Sequence, residues 1–347
     1  MTTTFTLLDA WGYSLAHYLL AVLWQSTILF AAAGILLWAL RRRHAAVRHA
    51  ICVTAALLAP FLPLLSTLAA RAGTPQAPVA VLPAYQQPAG NLFSLPAPAP
   101  LLAPRTGQTR PTDPTGQTGP TPPVLDFSSL RPRDYPWAIL LLAYLAGLLL
   151  FLGLFAAGHV RIHAWTRRST PMNSPGILHA FHDAAKTLRL TRPPHVRNAP
   201  ALHAPISVGL IRRIVLFPES VAAHMTDAEL RAVAIHETAH LKRRDPLILS
   251  LIALVRALLF FHPLVWLAAR QITTLAEQAA DDAVLDATGQ PLEYAKLLTR
   301  LAEGLPRRTP SPEFAAGIVL SQNVFLRRVE AILSHQRAQL RRLTRWA

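Results

Sequence analysis

The stretch that decides the fold is Thr226-Asp-Ala-Glu-Leu-Arg-Ala-Val-Ala-Ile-His-Glu-Thr-Ala-His-Leu-Lys242. Thr226 with Glu229 three residues later has the pattern of a capping box, which marks the first turn of a helix. Because neither glycine nor proline interrupts the following residues, we predict a continuous helix over 228–242. The chemistry of this helix depends on which of its side chains share a face.

The sequence His236-Glu-Thr-Ala-His240 has the H-E-x-x-H pattern. The two histidines are four residues apart, so they share one helix face and can direct their imidazoles at a single zinc ion. Glu237 lies one step around the helix, where its carboxylate can act as general base on a water at the metal. The alternative is a surface helix whose histidines face solvent.

A zinc enzyme also needs a third protein ligand and one open position for water. The residues 268–285 have helical composition, and Glu277 and Asp281 are four apart on one face. We predict that Glu277 binds the metal and that Asp281 accepts a hydrogen bond from a ligand imidazole. The alternative is an exposed acidic face, but two acids downstream of H-E-x-x-H in a basic chain favour the metal site.

The composition is that of a membrane protein. Hydrophobic residues make up 52% of the 347 residues, only 15% are charged, and the mean hydropathy is +0.30. The net charge of +16 does not by itself indicate nucleic-acid binding, because basic residues accumulate on cytoplasmic segments and beside anionic lipid. We therefore expect no direct contact with nucleic acid.

Three uncharged runs are long enough to cross a bilayer, which takes roughly 20 residues: 11–40, 50–70 and 136–158. Pro60 and Pro63 should kink the second run. Basic residues at 41–49 and after 158 flank the runs, so the positive-inside rule places both clusters in the cytoplasm. The sequence thus predicts two spans within 1–72 and a third over 136–158.

The segment between the second and third spans, 73–135, contains 14 prolines among 63 residues. Such a segment buries too little to offset its chain entropy, so we expect a flexible loop on the outer side of the membrane. The residues after the third span, 159–323, have globular composition. We expect a helix over 179–190 and a hairpin over 206–217, whose edge could hold an extended substrate.

The apolar run 246–269 is interrupted by Arg256 and by His262 next to Pro263. We expect two short membrane-embedded or interfacial helices that turn back, because Glu277 must return to the side of the membrane where His236 lies. Arg256 is a candidate substrate or partner contact, and the alternative is an internally paired or snorkelling arginine. His262 is expected to be a packed polar side chain.

The C-terminal stretch 324–347 is predicted to form a basic amphipathic helix. It holds six arginines and has apolar residues at 325, 329, 332, 333, 340 and 343. Contact with the inner leaflet is favoured over docking to a nucleic-acid-bound repressor, because lipid alone explains basic residues opposite an apolar stripe.

These residues resemble the membrane metallopeptidases of the bacterial β-lactam sensor-transducer (BlaR/MecR) antirepressor type. The resemblance covers about 15–333 and rests on His236-Glu-Thr-Ala-His240-Leu-Lys-Arg-Arg-Asp245, Phe261-His-Pro-Leu-Val-Trp266 and Glu277-Gln-Ala-Ala-Asp281-Asp-Ala-Val-Leu285. It implies a gluzincin, with zinc (Zn2+) held by His236, His240 and Glu277 and with Glu237 as the base. The expected fold class is a mainly α-helical integral membrane protein with a cytoplasmic α+β gluzincin-type zinc metalloprotease domain.

The resemblance further implies a multi-pass protein of the bacterial inner (cytoplasmic) membrane. We expect a zinc endopeptidase that cleaves a cytoplasmic protein in transmembrane signalling: a winged-helix transcriptional repressor, the chain itself within 304–323, or both. Two alternatives stay open, a housekeeping protease for membrane-protein quality control and a catalytically silent signalling scaffold, and a homo-oligomer is compatible with either. No S-x-x-K sensor motif occurs in the sequence, so a β-lactam ligand is not expected.

Overall fold

The computed structural model describes residues 2–73, 82–86, 134–209, 212–303 and 322–333. Most of the predicted Pro-rich loop, nearly all of the predicted self-cleavage segment and the last part of the predicted C-terminal helix lie outside these ranges. The chain divides into two units, one of residues 1–20 with 78–145 and one of residues 21–77 with 146–347.

Three helical stretches are long and apolar enough to cross a membrane, as the sequence predicts. They are α1 (Thr2–Ala39), the pair α2 (Ala45–Leu58) and α3 (Leu62–Arg71), and α4 (Pro136–Arg168). A 3₁₀ turn, Ala59–Phe61, joins α2 to α3 and contains Pro60. The predicted kink is confirmed, because a proline cannot donate the helical hydrogen bond.

The third of these helices continues ten residues past the expected end of the span at 158. Neither glycine nor proline interrupts 159–168, and arginine is a good helix former, so the basic cluster extends α4 instead of forming a loop. This extension places side chains from the end of α4 beside the candidate site described below.

In the first unit, a buried carboxylate holds the start of α4. Asp9 is 1% exposed, and its Oδ1 accepts hydrogen bonds from the backbone nitrogens of Trp137 at 3.0 Å and Ala138 at 3.1 Å. The Tyr85 hydroxyl donates to Asp9 Oδ2 at 3.1 Å. These bonds satisfy the first N–H groups of α4, which have no partner within the helix. One turn after Asp9, Gly12 lies directly against the Trp137 carbonyl group.

The second unit also contains a small mixed sheet surrounded by helices. After α4 the elements follow in the order β1 (Thr170–Pro171), α5 (Pro175–Thr187), β2 (His195–Asn198), β3 (Ile206–Val208), β4 (Ile214–Phe217), α6 (Glu219–Ala222), α7 (Asp227–Arg243), α8 (Asp245–Leu258), α9 (Pro263–Thr288), α10 (Pro291–Glu303) and α11 (Gln322–Leu333). The strand order is β1-β2-β4-β3, with β2 parallel to β4 and the other pairs antiparallel. The predicted hairpin is therefore confirmed as β3 and β4.

The helix that carries H-E-x-x-H passes through the main core of this unit. Its capping box is present as predicted, with Thr226 as N-cap and Glu229 reaching back to it. The side chains of Leu230, Ala234 and Ile235 are buried in one cluster with residues of α5, the sheet and α10. Burial on nearly every side fixes the rotation of α7, and therefore the direction of its histidines.

The two expected helices of the apolar run 246–269 are present as α8 and the first part of α9, and their embedding in the membrane stays a prediction. Residues 259–262 connect them, and His262 accepts the first free N–H of α9, from Leu264, at 3.3 Å. His262 is 1% exposed and its Nε2 lies 2.6 Å from Ser26 Oγ, so it is a packed polar side chain. The Arg256 guanidinium lies 4.3 Å from the centre of the Trp266 ring. That contact agrees with the internally paired alternative for Arg256.

The expectation that the apolar stripe of the C-terminal helix faces lipid is wrong for two of its residues. Ile332 is 5% exposed and belongs to the core cluster, and Val329 packs against the same cluster. The described part of this helix, α11, packs on α10. Its apolar face is used by the protein's own core, and this packing turns Arg328 inward.

Replacing Gly12 by alanine should destabilise the protein. The added Cβ would lie 2.0 Å from the Trp137 carbonyl oxygen, so the backbones of α1 and α4 would have to separate. Overpacking of this kind costs about 1–3 kcal/mol. Gly34→Ala is the matched control, because its Cβ would meet nothing within 4 Å and alanine favours a helix. Melting in detergent, followed by far-UV circular dichroism, should show a lower Tm for Gly12→Ala only; equal Tm values would contradict the close approach.

Candidate metal centre

Three of the predicted site residues converge on one point. His236 and His240, on α7, bring their Nε2 atoms to 3.1 Å from each other. Glu277, on α9, places Oε2 at 3.6 Å from His236 Nε2 and Oε1 at 3.5 Å from His240 Nε2. The three donor atoms lie within 4.8 Å of one another and could hold a metal ion.

The outer nitrogen of His240 is held by a carboxylate that sequence reasoning missed. His240 Nδ1 lies 2.7 Å from Oδ2 of Asp245, which is 1% exposed. The chain can turn back here because Arg244, between α7 and α8, adopts a left-handed conformation with φ 59° and ψ 34°. Arg243 binds the same carboxylate and donates to the Ala276 carbonyl oxygen at 2.7 Å. Asp245 is therefore fixed between α7 and α9.

The outer nitrogen of His236 has a second carboxylate partner. Its Nδ1 lies 3.3 Å from Oδ1 of Asp281 and 3.1 Å from the hydroxyl oxygen of Tyr294 on α10. Tyr294 in turn donates to Asp281 Oδ1 at 2.8 Å. Asp281 thus lies beside a ligand imidazole, where the sequence analysis expected it.

These contacts select the form of the histidines that binds metals. An imidazole that donates from Nδ1 to a carboxylate presents a lone pair at Nε2. Two Nε2 atoms facing each other at 3.1 Å can share one positive charge, which is either a proton or a metal ion. Zinc ligand bonds of about 2.0–2.2 Å in tetrahedral geometry space two ligand atoms about 3.3–3.6 Å apart. The two Nε2 atoms are 3.1 Å apart, and each has a Glu277 oxygen nearby, Oε1 at 3.5 Å for His240 and Oε2 at 3.6 Å for His236, so the three side chains could hold such an ion.

The charges around the site also favour a cation. Burial and Arg328 lower the pKa of His236, but hydrogen bonds to Asp281 and Glu277 outweigh them and raise it to about 9. Burial raises the pKa of Glu277, yet Arg328 and the two histidines outweigh burial and lower it to about 2. Arg328 and His236 likewise overcome burial and lower the pKa of Asp281. Both carboxylates are ionised at neutral pH and supply negative charge.

Glu237 faces the same space and is held by the edge strand. The Ser207 hydroxyl, on β3, lies 2.7 Å from Glu237 Oε2 and 2.8 Å from the Glu237 carbonyl oxygen. Glu237 is 8% exposed and does not belong to the group of converging ligand atoms. A carboxylate beside a metal site but outside its ligand set can act as a proton acceptor.

A cavity of about 320 Å³ opens onto these residues. One wall is formed by Ile206, Ser207 and Val208 of β3, and another by the end of α4 with His159, His163 and Thr166. His159 Nε2 lies 3.2 Å from Ser250 Oγ on α8. The cavity thus combines a metal-binding floor, a strand edge and the end of a candidate membrane span. Arg256 is not among the residues that line it.

Sequence reasoning found the three candidate ligands, the candidate base Glu237 and Asp281, but not four side chains around them. Asp245 lies inside the motif that carries the family resemblance. In a continuous helix a residue five positions after His240 would not share its face, so the contact between them depends on the helix ending at Arg243. Tyr294 and Arg328 come from helices 58 and 92 residues after His236. Ser207 is one of many serines, and only the strand pairing brings it to Glu237.

Comparison with known proteins agrees with these features. A family model described as BlaR1 peptidase M56 matches residues 21–332. The regulatory protein BlaR1 of Bacillus licheniformis is 27% identical over 169 residues, which are 48% of this chain and 28% of that protein. The regulatory protein BlaR1 of Staphylococcus aureus is 32% identical over 91 residues, 26% of this chain and 16% of that protein. The chain therefore matches less than a third of each relative's length, but the family match covers most of the chain, and the protein belongs to the BlaR1 peptidase M56 family.

Proposed function

We propose that the protein is a zinc-dependent membrane endopeptidase. The observation that carries the proposal is the convergence of His236, His240 and Glu277, with Glu237 beside them and outside the ligand set. A purely structural zinc site has four protein ligands and no use for an adjacent base. Three protein ligands together with an open cavity are the arrangement of a hydrolytic site.

The side chains divide the chemistry of peptide hydrolysis among them. When bound, zinc supplies a Lewis acid that lowers the pKa of water and polarises the scissile carbonyl. Glu237 takes the proton from the attacking water and later returns it to the leaving amine nitrogen. The Ser207 hydroxyl donates to Glu237 Oε2 at 2.7 Å, so the carboxylate of the base is held in one orientation. Asp245 and Asp281 keep the Nε2 lone pairs directed at the metal.

The substrate is proposed to bind as an extended segment along β3. Among the described residues β3 pairs only with β4, so its other edge is open, and all three of its residues line the cavity. Main-chain hydrogen bonds from an added strand would align a peptide bond with the metal without requiring one particular side chain. This mode suits an endopeptidase that recognises an exposed segment of a protein.

The proposed role is transmembrane signalling. The curated relatives are named regulatory proteins. We infer a cytoplasmic protease site, a Pro-rich loop outside the inner membrane, and a substrate that is a winged-helix transcriptional repressor or the chain itself within 304–323. The wall that α4 contributes to the cavity supports this role, because the helix that lines the site continues from a candidate span. Movement of that helix would change the shape of the cavity.

Glu237→Gln should abolish cleavage while the metal stays bound. Loss of a general base typically costs about a hundredfold to ten-thousandfold in rate, and Glu237 is not a predicted ligand. His236→Ala and Glu277→Ala should instead lose most of the zinc. The measurements are metal content by mass spectrometry and new protein N-termini in membranes that carry each variant.

The matched control for this series is Glu293→Gln, which removes an exposed carboxylate on α10 and should change neither zinc content nor cleavage. Full activity in Glu237→Gln would contradict the endopeptidase proposal. Full zinc occupancy in Glu277→Ala would show that Glu277 is not a zinc ligand. The proposal that the histidines bind zinc and that Glu237 is the base would be unaffected.

Asp245→Asn should weaken zinc binding by about 10- to 100-fold, because partners of ligand histidines typically contribute that much to affinity. The amide still fits the space but does not pair with Arg243 or polarise His240 as a carboxylate does. Competition with a chromophoric chelator gives the dissociation constant. Asp286→Asn, an exposed change on α9, is the control. Equal affinities in both variants would show that Asp245 does not act on the metal.

The proposed topology predicts which introduced cysteines react with a membrane-impermeant thiol reagent in intact cells. In a chain with Cys52 replaced by alanine, cysteines at positions 46 and 170 should be protected, whereas one at position 110 should react. Labelling after lysis confirms that the protected cysteines are accessible once the membrane is opened. Labelling at 170 in intact cells would place the protease site outside and exclude every cytoplasmic substrate.

A further inference from the structure

One arginine from the C-terminal helix reaches the centre of the metal site. Arg328, on α11, is 7% exposed. Its Nη1 lies 3.1 Å from Glu277 Oε2, its Nη2 lies 2.7 Å from Asp281 Oδ1, and its Nε lies 3.1 Å from Asp281 Oδ2. It therefore binds Asp281 through both carboxylate oxygens and Glu277 through one.

These contacts satisfy a charge that would otherwise be costly. A guanidinium removed from water needs carboxylate partners and well-directed hydrogen bonds to offset its desolvation. Arg328 has two carboxylates, and its Nη2 also donates to the Tyr294 hydroxyl oxygen at 3.2 Å. Arginine suits this place because its planar fork can bind two acceptors at once, which a lysine ammonium does not do in a fixed geometry.

The two oxygens of Glu277 have different surroundings. Each lies near one ligand imidazole, Oε1 at 3.5 Å from His240 Nε2 and Oε2 at 3.6 Å from His236 Nε2, but only Oε2 also carries a bond to Arg328. A carboxylate whose second oxygen is held by a guanidinium is favoured to bind a metal through one oxygen. Binding through both oxygens would use the open position that a hydrolytic zinc site keeps for water.

Arg328 acts on the other side of the site through Asp281. The bidentate bond fixes this carboxylate, and its Oδ1 lies 3.3 Å from His236 Nδ1. The Arg328 Nη2 atom also lies 3.4 Å from both ring nitrogens of His236, so one guanidinium contacts a ligand carboxylate, a ligand imidazole and the carboxylate beside that imidazole. His240 has a separate partner in Asp245.

We infer that Arg328 is a positioning residue of the metal centre, which holds Glu277 to one metal-facing oxygen and keeps Asp281 on His236. The inference deepens the proposed function and rests on it. The inference makes α11 a part of the metal site, in addition to its packing against the core. This helix begins some 80 residues after the end of the H-E-x-x-H helix. The polar contacts of Arg328 include those with Glu277, Asp281 and Tyr294, so the role that we assign to it is positional.

The test uses the full chain in detergent, loaded with zinc or with cobalt as a spectroscopic substitute. Arg328→Gln removes the charge and the fork, and Arg328→Lys keeps the charge and loses the fork. Glu330→Gln is the control, because it changes an exposed carboxylate on the same helix. The readouts are the zinc dissociation constant and the visible absorption of bound cobalt, which is strong for four ligands and weaker for five.

Arg328→Gln should weaken zinc binding about 10- to 100-fold, as loss of a ligand's partner does, and should lower the cobalt absorption because Glu277 becomes free to bind through both oxygens. Arg328→Lys should restore affinity in part while its cobalt absorption stays below that of the wild type. A merely structural arginine would lower the Tm without changing the cobalt spectrum.

Wild-type cobalt spectra and zinc affinities in both variants would overturn the inference. If Arg328→Gln fails to fold, Arg328→Lys decides alone, since it retains the buried charge: an unchanged cobalt spectrum in that variant overturns the inference as well. A wild-type chain that binds neither zinc nor cobalt contradicts the proposed function instead, so the two failures are distinguishable.

Discussion

The structure of the site depends on one electrostatic constraint: two imidazole lone pairs and a carboxylate converge where only a cation can satisfy all three. His236 and His240 are each held from behind by a buried carboxylate, Asp281 at 3.3 Å for one and Asp245 at 2.7 Å for the other. The nearest fixed positive charge, on Arg328, is engaged by Glu277 and Asp281. A site so arranged could hold a divalent metal and is too negative to be an ordinary helix interface.

The helices around the site follow from the same constraint. The third donor must come from a helix that returns to α7, and α8 and α9 provide this by forming a helical hairpin that turns at His262. The turn is anchored in a polar contact with Ser26 of α1, while Arg243 ties the end of α7 to the α9 backbone beside Glu277. The candidate spans and the site therefore share structural elements. Displacement of a span would act directly on the ligands and on the wall that α4 adds to the cavity.

Sequence reasoning succeeded where the signal was local. Helical spacing fixed the relation of His236 to His240 and of Glu277 to Asp281, and the capping box fixed the start of α7. It failed where tertiary packing decides. Val329 and Ile332 of α11 pack in the protein core, where lipid was expected. Asp245 became visible as a partner of His240 only once the left-handed turn at Arg244 was known. Arg328 resembled any other basic residue of a basic helix.

The most direct test of the account is X-ray absorption at the zinc edge of the purified full chain. The account predicts nitrogen and oxygen neighbours only, at about 2.0–2.2 Å, with outer-shell scattering from two imidazoles and a total coordination of four that includes one non-protein oxygen. A sulfur neighbour, which Cys52 alone could supply, a single imidazole, or four protein ligands would each contradict the three-ligand hydrolytic centre.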